Sequence, residues 1–489
     1  MATEYEIVIG LEVHVQLATA SKMFCGCGSD YQSASPNTRV CPVCLGLPGS
    51  LPQINSKAVE YTILTGLALG CEIPEYTKFD RKNYPYPDLM KGYQISQFDK
   101  PLALAGVMTI DIDGQPKDIN VTRVHLEEDV AKLSHISDSS GSYSVVDINR
   151  AGVALMEIVS EPDMRSAEEA RQYLMNMHSI VQYLGVSNAN MEDGNFRCDA
   201  NVSVRPLGQV EFGTRTEIKN MNSFRSVVSA IEYETHRQIG VIESGGKVVQ
   251  ETRGWVDDKQ ITASQRSKEQ AHDYRYFPEP DLPPLTISAQ MVDEIKALLP
   301  ELPSHRKKRF IDELGLTEYE ATLLTSEKST ADYFEDVVSK LINQPEGKNL
   351  MKTTSNFILG DLTAIMKDKG EDFSNCTLPT DYLAELVLAV GIGDISINIA
   401  KNVLSESFKT LDSPSVIIGR NNYTVIADKD VLFKTVESVI DSNTKAVEDY
   451  KSGKESASKF LVGQVMKETK GQAKADVVTN IVLEVLARY

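Results

Sequence analysis

The chain has 489 residues, 42% of them hydrophobic and 24% charged, with a formal net charge of −19; this size and composition suit roughly three globular domains. No run approaches the ~20 apolar residues of a membrane span, and the N-terminal MATEYEIVIG, with two glutamates and no basic stretch, is not a secretory leader; a cytoplasmic protein without membrane attachment is expected. The acidic balance argues against a surface that tracks phosphates over its whole extent, so any RNA contact must come from local basic patches.

Residues 5–17 alternate as a strand. Ile7, Ile9, Leu11, Val13, Val15 and Leu17 fall on one face, and Gly10, Glu12, His14 and Gln16 on the other. A carboxylate and an imidazole then stand about 7 Å apart on the open face. An ordinary solvent-facing strand would alternate in the same way.

Cys25-Gly-Cys27 is followed after thirteen residues by Cys41-Pro-Val-Cys44. Two close cysteine pairs can deliver four thiolates to a tetrahedral zinc ion, and four sulfur ligands leave no open position, so the expected role is structural. The other three of the seven cysteines, Cys71, Cys198 and Cys376, read as small buried residues.

The polar comb recurs further on. Residues 121–129 end in Glu127, Glu128 and Asp129, with Glu127 and Glu128 on opposite faces of a regular strand. Glu157 sits alone in an apolar run, where a carboxylate needs a partner or an ion. In residues 197–205, Asp199, Asn201, Ser203 and Arg205 share a face, and Arg215, Glu217 and Lys219 share another. Glu12, Glu128, Glu157 and Asp199 could bind Mg²⁺, which prefers oxygen ligands. Lys82, Arg150, Arg197 and Lys219 are candidates for holding phosphate oxygens. These are parts for phosphoryl transfer, which needs positioning and charge neutralisation. No P-loop, dinucleotide fingerprint, kinase signature set or G-x-S-x-G occurs.

Between these strands, Ser166 and Glu169 make a capping-box pattern ahead of an apolar face of Ala170, Tyr173, Leu174, Met177, Val181 and Leu184, closed by Gly185. A proline-rich run at 277–284 suits an extended strap or a boundary. From about 290 the pattern is helical, with helices expected at 291–299, 380–390, 456–469 and 475–487. Residues 451–475 hold six lysines, among them Lys454, Lys459, Lys467, Lys470 and Lys474, against two glutamates. This is the best basic patch in the chain, though a solvated helix face has the same look.

Several stretches resemble the B-subunit family of the trimeric A–B–C glutamyl/aspartyl-tRNA amidotransferases. They are Ile9-Gly-Leu-Glu-Val-His-Val-Gln16, Lys78-Phe-Asp-Arg-Lys-Asn-Tyr84, Tyr93-Gln-Ile-Ser-Gln-Phe98, Leu126-Glu-Glu-Asp129, Met156-Glu-Ile-Val-Ser-Glu-Pro162, Arg197-Cys-Asp-Ala-Asn-Val-Ser203, Asp273-Tyr-Arg-Tyr-Phe-Pro-Glu-Pro280 and Phe460-Leu-Val-Gly-Gln-Val-Met-Lys467. The resemblance implies an α+β fold: a largely antiparallel, cradle-like catalytic domain over 1–290, a helical domain over 291–408 and a YqeY-like helical tail over 411–489. It implies an ATP-dependent ligase that phosphorylates the side-chain carboxylate of glutamate or aspartate misacylated onto tRNA(Gln) or tRNA(Asn), ammonia then displacing phosphate. Glu12, His14, Glu128, Glu157 and Asp199 fall on its magnesium-binding positions, with Lys82 beside them in catalysis and His14 either ligand or base. The chain lacks the glycine- and serine-rich signature of an amidase, so the resemblance implies an amidase (A) subunit as ammonia source and a small C subunit as scaffold. The tail lysines would give a local grip on tRNA. The competing class is a non-catalytic zinc-knuckle RNA-binding or assembly protein, which leaves Glu157 unexplained; a free-standing amide ligase leaves the tail unexplained.

Overall fold

A computed structural model describes residues 4–488 except 140, 268–273, 345–349, 424–428, 455, 470, 471 and 474. The chain forms two compact units, Met1–Leu302 and Pro303–Tyr489.

The first unit is built on strands β1 (Tyr5–Gln16), β2 (Asp80–Asn83), β3 (Tyr93–Ser96), β4 (Ala103–Ile112), β5 (Gln115–Glu128), β6 (Ala154–Ser160), β7 (Phe196–Pro206), β8 (Thr216–Met221), β9 (Glu251–Val256) and β10 (Ile261–Ser267). Eight of them make one sheet in the order β10-β9-β8-β7-β1-β6-β5-β4. Every pairing is antiparallel except β8 with β9. The first strand is thus central, because its alternation lets one face be buried outright: Ile9, Leu11, Val13 and Val15 are no more than 1% exposed. Three helices, α1 (Ser56–Ala68), α2 (Ala167–Tyr183) and α3 (Phe224–Glu243), contribute Ile63, Tyr173, Met177, Val227 and Ile231 to the same apolar core. Burying a side chain of this size is worth about 1.5–3 kcal/mol.

The expected face of α2 is buried from Ala170 to Leu184, and Gly185 takes the left-handed conformation (φ +67°) that ends the helix. Its capping differs from the sequence expectation. Ser166 accepts from the Glu169 N–H at 3.1 Å, but the Glu169 carboxylate accepts from the Arg165 N–H and from Lys117 instead of returning to Ser166. Two donors outside the box, one of them charged, displace the reciprocal bond.

The proline-rich run is a strap within the first unit. Phe277–Pro278 pairs with β2, and Leu285–Thr286 pairs with Tyr76–Thr77. Between them Glu279, 2% exposed, takes a two-pronged contact from Arg81 at 2.7 and 2.8 Å.

The second unit is helical in its described residues. Helices Pro303–Leu314, Glu318–Thr325, Lys328–Leu341, Thr380–Gly391 and Ile397–Thr410 precede a last group, Lys429–Ser442, Thr444–Lys451, Ser456–Glu468 and Ala475–Leu486. That group has its own core, including Leu432, Val436, Ile440, Leu461, Val465, Val478 and Val482. No described helix is long and apolar enough to cross a membrane.

Removing one partner of a buried pair strands the other charge. Arg81→Ala is therefore expected to destabilise the protein by about 3–5 kcal/mol in denaturant unfolding; a change below ~1 kcal/mol would mean that the strap is not held by this pair.

Candidate active site

Antiparallel register lines up the polar teeth of five strands. Glu12 lies opposite Asp199 on β7, and His14 opposite Glu157 on β6. Outward from these, Glu157 faces His125 on β5 and Asn201 faces Glu217 on β8. The side chains form two groups, His14 with Glu127 and Glu157, and Glu12 with Asp199 and Glu217; within each, ligand atoms lie within 4.8 Å of one another.

In the first group His14 Nε2 is 3.5 Å from Glu157 and 3.9 Å from Glu127, while His125 Nε2 is 3.4 Å from Glu157. Burial opposes a charge on His14, but the Glu157 hydrogen bond and the Glu157 and Glu127 charges outweigh it, and its pKa is pushed up to about 9. Burial likewise works against the Glu157 carboxylate, yet the charge and hydrogen bond of His125, aided by His14, hold it well below the usual range. Glu127 goes the other way, raised by burial and then by Glu157. Lys82 keeps its proton despite burial because Glu127, Tyr276 and Glu157 favour the ammonium.

In the second group Lys219 donates to Asp199 at 2.6 Å and lies 3.2 Å from Glu217, and Asn201 donates to Glu12 at 2.9 Å. Glu12 is raised by burial, then by the Glu157 and Asp199 charges. Glu12 and Glu127 thus hold protons more readily than free carboxyl groups, first because they are buried and then because other carboxylates lie near. Oxygen donors so placed fit a hard divalent cation.

The structure brings Glu12, His14, Lys82, Glu157, Arg197, Asp199 and Lys219 to this face. Glu128 is not among them, a correction to the magnesium set expected from sequence. Side chains alternate along β5, so His125 and Glu127 point into the site while Glu128 points away. There it pairs with Lys91 and accepts from the Ile95 N–H at 2.9 Å. The alternation separates Glu127 from Glu128 but does not say which of them faces inward; the His125-x-Glu127 spacing, which repeats Glu12-x-His14, is the signal that could have chosen between them. Glu217 is a further member of the second group that the sequence expectation omits. Arg197, expected to hold phosphate, lies opposite His14 on this face and donates to Asp129 at 3.0 Å; Arg150, expected to do the same, is 3.7 Å from Asp129 and donates to the Val130 and Ala131 carbonyls.

The four cysteines do converge. The sulfurs of Cys25, Cys27, Cys41 and Cys44 lie within 4.8 Å of one another, and those of Cys41 and Cys44 are 3.8 Å apart. A tetrahedron with ~2.3 Å zinc–sulfur bonds has edges of about 3.8 Å, so the donor set and its spacing fit zinc. The Cys44 thiol is drawn down to about 4 by the hydrogen bond it accepts from Cys25, with Lys22 contributing against the effect of burial. Gly46 (φ +68°) lies against Lys91, leaving no room for a side chain, so the Lys91–Glu128 pair braces the knuckle on the side of the sheet away from the site.

In the second unit Lys459 and Lys467 are exposed on Ser456–Glu468, and Lys454 is 2.8 Å from Asp449. Lys470 and Lys474 lie outside the described residues, as does Asp273 of the 273–280 motif.

A mixed sheet gathering acidic, imidazole and ammonium groups on one face, followed by a helical unit, places the chain in a class of catalytic subunits: residues 7–293 match the GatB/GatE catalytic domain and residues 332–486 the GatB domain. Within that class the chain belongs to the B-subunit family of the aspartyl/glutamyl-tRNA(Asn/Gln) amidotransferases. Proteins of that name are 55% identical in Dehalococcoides mccartyi strain 195 and 51% identical in Carboxydothermus hydrogenoformans, each match covering 99% of both chains. The Caldicellulosiruptor bescii protein is 51% identical over 99% of this chain and 100% of its own.

The zinc assignment predicts about one zinc per purified chain by elemental mass spectrometry and a large loss in Cys44→Ser; a zinc-free wild-type protein would refute it. The His14 shift predicts a pH dependence. Because its folded pKa is raised, His14 adds stability that is complete below about 6.5 and lost as pH rises through about 9. In metal-free buffer the melting temperature of wild type should exceed that of His14→Gln at pH 6, and the gap should close by pH ~9.5. A gap independent of pH would show that His14 is not protonated there.

Proposed function

We propose that this chain is the component that activates and amidates glutamate or aspartate misacylated onto tRNA(Gln) or tRNA(Asn), yielding Gln-tRNA(Gln) or Asn-tRNA(Asn). The observation that carries this reading is the pair of acidic groups set side by side on one face, each with its own lysine, Lys82 or Lys219. A free carboxylate is a poor acyl donor, so the side-chain carboxylate first attacks the γ-phosphorus of ATP and ADP leaves. Ammonia then attacks the acyl carbon of the acyl phosphate, phosphate leaves, and the nitrogen gives up its extra proton. Both steps need charge neutralisation at phosphate oxygens more than covalent help from the protein.

Glu127 and Glu157, with His14, and Glu12, Asp199 and Glu217 would hold magnesium, which would supply the charge neutralisation that ATP requires. Lys82 and Lys219 would steady phosphate oxygens. His14 carries a proton in the metal-free cluster; a cation beside it would favour the neutral ring, which can act as ligand or as base toward ammonia. A cavity of about 410 Å³ lined by Val8, Gly10, Glu12, Pro162, Ser203 and Phe212 opens beside the second group and has room for the nucleoside of ATP.

Ammonia would come from a partner amidase, with a small third protein completing the complex; the relatives are themselves named as one component of a larger amidotransferase. Lys459 and Lys467 would add a local positive surface for tRNA on an otherwise acidic chain.

In the assembled complex, Glu12→Ala, Asp199→Ala or Glu127→Gln should abolish ATP hydrolysis supported by misacylated tRNA, while Glu128→Gln should retain most of it. Replacing Lys459 and Lys467 by glutamate should raise the KM for tRNA. Near-normal turnover by Glu127→Gln would overturn the assignment of the first group.

A further inference from the structure

Two motifs that the chemistry above leaves unused meet beside the first acidic group. Phe98, at the end of residues 93–98, stacks on Tyr276 of the strap, with ring centroids 4.1 Å apart and planes inclined by 9°. Tyr276 packs edge-on against Tyr274 at 6.0 Å, and Tyr274 against Tyr84 at 5.7 Å. The Lys82 ammonium lies 5.1 Å from the Tyr274 ring. One end of this aromatic row therefore adjoins the lysine and carboxylates of the site. Its other end is open: Phe98 is 47% exposed.

Large rings left in water at a reaction centre cost free energy unless something covers them. The backbone that presents them is also constrained. Arg275 has φ +44°, rare for a residue with a side chain, and Asn83 holds the turn by donating to the carbonyls of Tyr274 and Arg275 at 3.3 and 2.9 Å. Cations lie along the row, with Arg275 exposed and Arg123 donating to the Phe98 carbonyl at 3.1 Å. Flat rings interleaved with cations, on a chain of net charge −19, match an unpaired nucleic-acid strand, whose bases stack and whose phosphates need positive charge.

We infer that Phe98 and Tyr276 form the stacking platform for the unpaired 3′ end of the tRNA, the terminal adenine lying on the open face of Phe98 and the ester-linked amino acid reaching past Lys82 toward Glu127 and Glu157. The inference rests on the function proposed above and adds where that substrate's end is held. Adenine is also the base of ATP, so the test must separate the two sources. Phe98 is a positioning residue here, since the reacting atoms lie beyond it.

The test uses the assembled complex with glutamyl-tRNA carrying 2-aminopurine as its terminal base. Binding to wild type should quench the fluorescence. Phe98→Ala should remove most of the quenching and raise the KM for tRNA roughly five-fold to a hundred-fold, with the KM for ATP unchanged. Phe98→Tyr should restore both, and Tyr276→Leu should weaken both as a second, independent variant. Retained quenching and an unchanged tRNA KM in Phe98→Ala, in a complex whose wild type amidates normally, would overturn the platform and leave the proposed function standing. A rise confined to the KM for ATP would overturn it too, by giving the platform to the nucleotide. Failure of wild type itself to amidate either glutamyl-tRNA or aspartyl-tRNA would overturn the function and this inference together.

Discussion

The site exists because one strand has two faces that cannot exchange. A shift of β1 by one residue against β6 and β7 would turn Ile9, Leu11, Val13 and Val15 toward the polar side and bury Glu12 and His14 in the apolar core. Several kilocalories of apolar burial per register therefore hold the two catalytic candidates of β1 opposite Asp199, Arg197 and Glu157. The same alternation carries outward to β5 and β8, and so the helices that cover the back of the sheet also align its front. Packing on one face is the means by which chemistry on the other is positioned.

Charge in this hollow is arranged in near-balance and not in full neutralisation. His14 and His125 meet Glu157, Lys82 faces Glu127 and Lys219 meets Asp199. Glu12 and Glu127 are left with raised affinity for protons. Partial compensation keeps the acids together without a metal and leaves them a favourable exchange when a cation replaces protons. Arg150 and Arg197 both approach Asp129, at 3.7 and 3.0 Å, which ties the end of β5 to the site face of β7.

Supporting parts surround the hollow from different stretches of chain. The cysteine knuckle leans through Gly46 on Lys91 and so on Glu128, behind the sheet. The proline-rich strap is locked by Arg81 on Glu279 and brings Tyr274 and Tyr276 to the front. Burial is non-directional and does not by itself aim polar groups, and these clamps add directional contacts where irregular backbone approaches the site.

Much of this was legible in the residues themselves. Alternation in 5–17 and 197–205, the cysteine spacing, the apolar face of α2 and the late helices all depend on local periodicity or short-range chemistry, which the sequence carries whatever the tertiary context. Which of Glu127 and Glu128 joins the site was not local: it depends on which face of β5 continues the polar face of β1 and β6, and that is set by the core behind the sheet. The same holds for Glu217, for the arginines that turn to Asp129, and for the strap, whose proline content read equally as a boundary until Glu279 found Arg81. Periodicity decides which side chains share a face; only packing decides which face looks into the hollow, because the direction of burial is a property of the whole sheet and not of any one strand.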